Sequence, residues 1–201
     1  MKERPISFNA EMVRAILDGR KTQTRRIMKV QPDDIYHYTD GVSIAIVNDK
    51  AVKIGHAPFK CPYGEAGDRL WVRETFVVGH EIDDCSPVGD EKIWYRATDD
   101  LDNWYDLRLD REVNVPWKPP IQMSRWASRI TIDEITDIRI EQLQDISRGD
   151  CMAEGCPFPN IAHETDPVKW YKELWESIYG RGSWDENPWL WLIEFKQFRS
   201  T

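Results

Sequence analysis

Met12, Val13, Ile16 and Leu17 recur at three- and four-residue spacing behind Asn9, which predicts an amphipathic helix with an asparagine cap. Gly19 follows the last apolar position and predicts the stop, because glycine readily takes the left-handed turn that closes helices. The chain then emerges extended, with Thr22, Thr24 and Arg26 on one strand face and Gln23, Arg25 and Ile27 on the other. Lys21 falls on the wrong face for Thr24 unless it sits in the turn or in a bulge. Any joint role of the two has to meet that condition.

Alternating positions predict further strands. Val42–Val47 and Ala51–Ile54 flank Asn48-Asp49-Lys50 and read as a hairpin with a short polar loop, closed off by Pro58 and Pro62. A turn-rich run from Cys61 to Asp68 leads into a strand pattern at Arg69–Phe76, on which Arg73 and Glu74 point to opposite faces. The segment from about Val77 to Pro120 is acidic and rich in turn formers around a short strand at Lys92–Arg96. It reads as an insertion or lid, either a solvated excursion or a flap over a site. From Ile130 to Ile140 alternation resumes, long enough for one bent strand or two paired ones, with isoleucine inward. Ser147 caps a short helix that stops at Gly155, Pro167–Tyr179 predicts a second amphipathic helix ended by Gly180, and Trp189–Lys196 predicts a last strand.

Composition narrows the function. The chain has 201 residues, enough for one domain with a core of its own, and its net charge of −8 argues against coating duplex nucleic acid by bulk electrostatics. A nucleic-acid contact would need a local basic patch, and Gly19–Met28 supplies one: four cations and two hydroxyls at a helix-to-strand corner. Ten tryptophans run from Trp71 to Trp191 and should line the core or a groove with the indole N–H partnered, some of them stacking on a base. No stretch approaches the roughly 18 apolar residues that span a bilayer, so the reading is a cytoplasmic protein without a membrane partner. Cys61, Cys85, Cys151 and Cys156 then stay thiols. Their spacing, with His37, His56, His80 and His163 scattered, gives no metal signature, and neither metal nor cofactor is expected.

The order of these pieces is similar to a known family. A helix ending Gly-Arg-Lys-Thr-x-Thr-x-Arg, the Gly67-Asp68-x-Leu70 turn and strand, a long central strand, a short helix ending Ala153-Glu154-Gly155 and a terminal Ile193-Glu194-Phe195 strand resemble the ASCH domain family, over about half the chain. The resemblance implies a single α+β domain, residues 1–201, with a PUA-like open β-barrel, flanking helices and an insertion at about 77–120. Cys61-Pro62-Tyr63-Gly64, Trp71-Val72-Arg73-Glu74 and Arg125-Trp126-Ala127-Ser128-Arg129 look like the longer ASCH proteins of bacteriophages and prophages, which implies a bacterial host cytoplasm. Some small members are amidohydrolases that remove the acetyl group from N4-acetylcytidine with a lysine, a threonine and a glutamate. By resemblance those positions are Lys21, Thr24 and Glu154. Arg25 departs from the pattern, standing where those enzymes carry an apolar residue, and the 77–120 excursion is a second departure.

The residues support that chemistry within limits. A threonine hydroxyl needs a base within hydrogen-bond reach, and a neutral Lys21 amine suits the task. Lysine ordinarily titrates at about 10.4, and burial with repulsion from Arg20, Arg25 or Arg26 would lower it. Glu154 would position Lys21 or accept from an exocyclic N–H, while its charge would raise the lysine value. A helix-end carboxylate also opposes the dipole and calls for a compensating contact.

Other readings stay open. Arg20, Lys21, Arg25 and Arg26 could hold RNA or single-stranded nucleic acid by phosphates, as a binding module or a ribonuclease. Thr22, Arg73, Glu74 and Trp126 would flank the substrate or the strand. Arg73 and Glu74 also read as a structural ion-pair set, and Trp71 and Trp126 as core. A third reading is a phage accessory protein that binds a host protein through its acidic excursion. Salt separates the first two, since phosphate binding weakens steeply with added salt and turnover of a neutral nucleoside does not.

Overall fold

The computed structural model describes residues 1–37, 43–56, 59–83, 86–101, 104–106, 111–157 and 166–197. Val42, Pro58, Cys85 and His163, named above, lie outside the described residues. Along the chain run β1 (Glu3–Ser7), α1 (Ala10–Leu17), β2 (Gln23–Ile27), β3 (Asp34–His37), β4 (Ser43–Val47), β5 (Lys50–Lys53) and β6 (Arg69–Arg73). Then come β7 (Phe76–Asp83), β8 (Ser86–Tyr95), β9 (Trp104–Asp106), β10 (Arg111–Val113), β11 (Thr131–Ile132) and β12 (Glu134–Gln142). The last elements are α2 (Arg148–Ala153), α3 (Pro167–Tyr179) and β13 (Trp189–Lys196).

The architecture is α+β, with small sheets, few helices and no closed barrel among the described residues. Two three-stranded sheets carry the centre. In one, β6 pairs parallel with β1 and antiparallel with β11; in the other, β13 lies antiparallel between β12 and β2. Only Asp133 separates β11 from β12, so one bent strand passes from the first sheet to the second. The bend is pinned by reciprocal bonds: Gly67 N–H donates to Ile135 O, and Ile135 N–H donates to Asp68 O, both at 2.8 Å. A register shift follows between Ile135 and Asp137. The Ile130–Ile140 pattern thus resolves as one bent strand, whose halves pair with different neighbours.

The main core joins both sheets to α1, with Ile6, Phe8, Val13, Leu70, Ile132 and Ile193 among its buried members. A second cluster lies under α3, where Leu143, Cys151, Tyr171, Trp175, Trp184 and Leu190 meet. Asn9 caps α1 by accepting from Met12 N–H at 2.8 Å. The buried face of α1 is Val13, Ala15 and Ile16, whereas Leu17 is 38% exposed, so the helix turns its last apolar residue away from the core.

Three predicted boundaries move. Asn48 and Asp49 both take positive φ, +49° and +60°, making a two-residue hairpin turn that leaves Lys50 in β5. Short polar side chains tolerate that conformation. The Arg69–Phe76 strand breaks after Arg73, because Glu74 turns to bind Arg129 and Phe76 starts a new strand. The excursion after Val77 contains a long β7–β8 hairpin, rooted where Phe76 and Trp71 pack on Met123 and Ala127. No described helix is long and apolar enough to cross a membrane.

Candidate active site

The corner after α1 is built by one carbonyl. Arg20 and Lys21 N–H both donate to Ala15 O, at 2.9 and 3.0 Å, and Gly19 supplies the left-handed turn with φ +75°. Strand pairing starts only at Gln23, so Lys21 lies in the turn and the geometric condition for acting with Thr24 is met. Thr22 precedes the strand and is exposed, contrary to the expected face it shares with Thr24. Its N–H donates to Ala153 O at 2.8 Å, which ties the corner to the end of α2.

The helix α2 brings the carboxylate. Ser147 and Asp150 form a reciprocal capping box at its start, and Glu154 is its C-terminal cap. Gly155 then turns with φ +104°; a Cβ there would lie 2.7 Å from Ala15 Cβ and 3.3 Å from Lys21 Cβ. Only glycine lets α2 approach α1 this closely.

Lys21 Nζ donates to Glu154 Oε2 at 2.5 Å and to Glu154 O at 3.0 Å. The second carboxylate oxygen, Oε1, accepts from Arg25 Nη1 at 3.2 Å. Arg25 Nη2 reaches Glu141 at 3.2 Å and Asp150 at 3.5 Å. The Lys21 and Arg25 side chains are fully covered and that of Glu154 is 2% exposed. Two cations thus supply the compensating contact for a carboxylate at a negative helix end. Three carboxylates converge on the Arg25 guanidinium, and among the described residues no group of His, Cys, Asp or Glu is placed to hold a metal.

Burial holds the Lys21 ammonium below its ordinary value of 10.5, Glu154 opposes that shift, and Arg26 and Arg25 reinforce it. For Arg25 burial works downward, but Glu154, Asp150 and Glu141 prevail and raise it. Burial pushes the Tyr171 hydroxyl well above 10.

Thr24, Arg25, Arg26 and Glu154 line a cavity of about 340 Å³, walled also by Phe8 and by a face of α3 bearing Tyr171, Trp175 and Tyr179. Lys21 stands behind this lining, its Nζ 5.7 Å from the Phe8 ring centre. Arg26 stacks on Phe8 at 4.9 Å and donates to Ser7 O at 2.7 Å. On the other side of Glu154 a second cavity of about 310 Å³ is bordered by Arg20, which binds Asp18 and Gly155 O.

The structure therefore brings Lys21, Thr24, Glu154, Arg25 and Arg26 together and leaves other candidates outside. Glu74 forms a two-bond pair with Arg129, at 2.9 and 3.0 Å, and Arg73 stacks on Trp71 at 4.7 Å. Of the Arg73 and Glu74 ion-pair set, Glu74 pairs with Arg129, whereas Arg73 packs on Trp71 instead. Trp71 is core, as read, but Trp126 is 68% exposed and borders neither cavity. Sequence reasoning missed the α3 wall, although Tyr171, Trp175 and Tyr179 recur every four residues on one helix face. It also missed Glu141 and Asp150, which no local pattern joins to Arg25. No family model, curated protein or solved structure matches this chain.

Proposed function

We propose that this cavity is the active site of an amidohydrolase that removes the acyl group from an N-acylated pyrimidine nucleoside such as N4-acetylcytidine. The observation that carries the reading is the fully buried Lys21–Glu154 pair beside cavity-lining Thr24. A neutral lysine amine has two N–H groups and one lone pair. Glu154 offers two acceptors, Oε2 and O, for those N–H groups; in this reading the remaining lone pair serves the Thr24 hydroxyl.

In the proposed sequence Thr24 Oγ attacks the acyl carbonyl while its proton passes to Lys21 Nζ. The C–N bond then breaks as Lys21 returns the proton to the leaving exocyclic nitrogen. Water attacks the resulting ester, releasing the carboxylic acid and restoring Thr24. The net reaction is amide plus water to amine plus acid, without metal or cofactor. Arg26, one strand position beyond Arg25 and on Thr24's side of β2, supplies positive charge near the developing oxyanion.

The volume, about 340 Å³, falls in the range of small-molecule sites. The nucleic-acid reading draws less support, because Lys21 and Arg25 are covered and engaged by carboxylates rather than presented to phosphate. In fold, the strand that bends from one central sheet into the other supports an open PUA-like barrel of the ASCH type. The same resemblance carries the proposed phage or prophage origin and a cytoplasmic setting. Chromatography of N4-acetylcytidine incubated with the protein tests the reading: cytidine should form, independently of salt, and Thr24→Ala should stop it. Salt-sensitive binding of single-stranded RNA with no cytidine formed would favour the alternative.

A further inference from the structure

Of the six buried side-chain polar atoms without a partner among the described residues, three belong to residues lining the cavity: Arg25 Nε, Arg26 Nε and Trp175 Nε1. All three are N–H donors. The arginines have other donors already bound, at Glu154 and Ser7, but an indole has one donor and no substitute. Trp175 is 2% exposed and borders the cavity, and a buried indole N–H ordinarily finds an acceptor. Its ring is fixed by Tyr179, with centres 4.2 Å apart, and by Tyr171 at 6.3 Å. Among the described residues Glu154 is the only carboxylate in the lining, and its two oxygens are taken by Lys21 and Arg25. A ligand in the cavity can supply the missing acceptor.

We propose that Trp175 is a specificity residue whose indole N–H donates to a carbonyl oxygen in the plane of a pyrimidine ring, the C2 carbonyl of a cytosine-type base. A flat ring suits a cavity walled by Phe8 on one element and by Trp175 and Tyr179 on another. A neutral carbonyl suits it better than an anion, because three carboxylates already surround Arg25. Thr24 and Glu154, on β2 and at the end of α2, would take the acyl end, while α3 takes the ring carbonyl. The identity of the ring rests on the amidohydrolase reading; the unpartnered donor does not.

The test is calorimetric binding of cytidine and of 2-thiocytidine, whose sulfur is the weaker acceptor, to the native protein and to Trp175→Phe. Native protein should prefer cytidine about five- to tenfold, and Trp175→Phe should bind the two alike. The variant could lose its fold, so ¹⁵N-indole spectra of native protein give a second readout. One indole N–H should move downfield with cytidine and less with 2-thiocytidine. No binding of cytidine, or equal binding of both ligands by native protein, overturns the proposal. Turnover of N4-acetylcytidine without that preference overturns this inference alone. The preference without turnover supports Trp175 and overturns the catalytic reading instead.

Discussion

Lys21 and Glu154 stand 133 positions apart in sequence, yet Nζ and Oε2 meet at 2.5 Å with both side chains out of reach of solvent. A surface pair of this kind contributes little, whereas a buried one leaves a costly unpaired charge when either partner is removed.

Glu154→Gln leaves Lys21 and Arg25 without that charge. Arg25 keeps Glu141 and Asp150, so the substitution takes one of three carboxylates from a buried cation and should destabilise the protein by about 1–3 kcal/mol. Urea unfolding measures it; a loss below about 1 kcal/mol would mean that the pair is not desolvated as described.

Thr24→Ala removes a hydroxyl and a methyl group from the buried cavity wall and should cost about 1–2 kcal/mol of stability. Turnover of N4-acetylcytidine should fall at least about 100-fold, and Thr24→Ser should retain part of it. Equal activity of native protein and Thr24→Ala would remove the threonine from the chemistry.

The titration of Lys21 gives a sign that can be checked. Its folded value is depressed below 10.5 by burial, so the folded state holds fewer protons than the unfolded state between the two values. Stability should therefore rise with pH through that window, as the burial penalty of the charge is relieved, and Lys21→Met should flatten the slope. The acid limb of the activity profile should report the same group, with activity increasing as Lys21 loses its proton.

Arg25 takes half of the Glu154 carboxylate. Arg25→Leu leaves Glu154 to act on Lys21 alone, which raises the lysine value and should move the acid limb to higher pH. Comparison of pH profiles for the two proteins checks it; an unmoved limb would show that Arg25 serves only to join Glu141 and Asp150.

Gly155→Ala should cost at least about 1–3 kcal/mol, since the added carbon meets Ala15 and Lys21 and the residue keeps a positive φ. Thermal melting with activity at a permissive temperature would separate loss of fold from loss of the corner.

Local chemistry made much of this legible in advance. The Asn9 cap, the Gly19 turn, the Ser147 cap and the span from Pro167 to Tyr179 are short-range signals, and each element appears where its residues predict it. The demand for a compensating contact at Glu154 is also readable, because a carboxylate at a helix end has a known electrostatic cost. Which cation answers is a tertiary fact. Three carboxylates at β12 and α2 converge on Arg25, and only the folded chain brings them there. Trp126 misled because tryptophan predicts burial or stacking by size alone, whereas its short turn leaves it in solvent.

The central claim is that Thr24 carries the acyl group during turnover. Mixing the protein with N4-acetylcytidine, quenching in acid within the first turnover and mapping peptide masses tests it most directly. The account predicts one acetyl group on the peptide containing Thr24, with cytidine released in equal amount and neither product in Thr24→Ala. Cytidine formed while that peptide stays unmodified, or no cytidine at all, would contradict it.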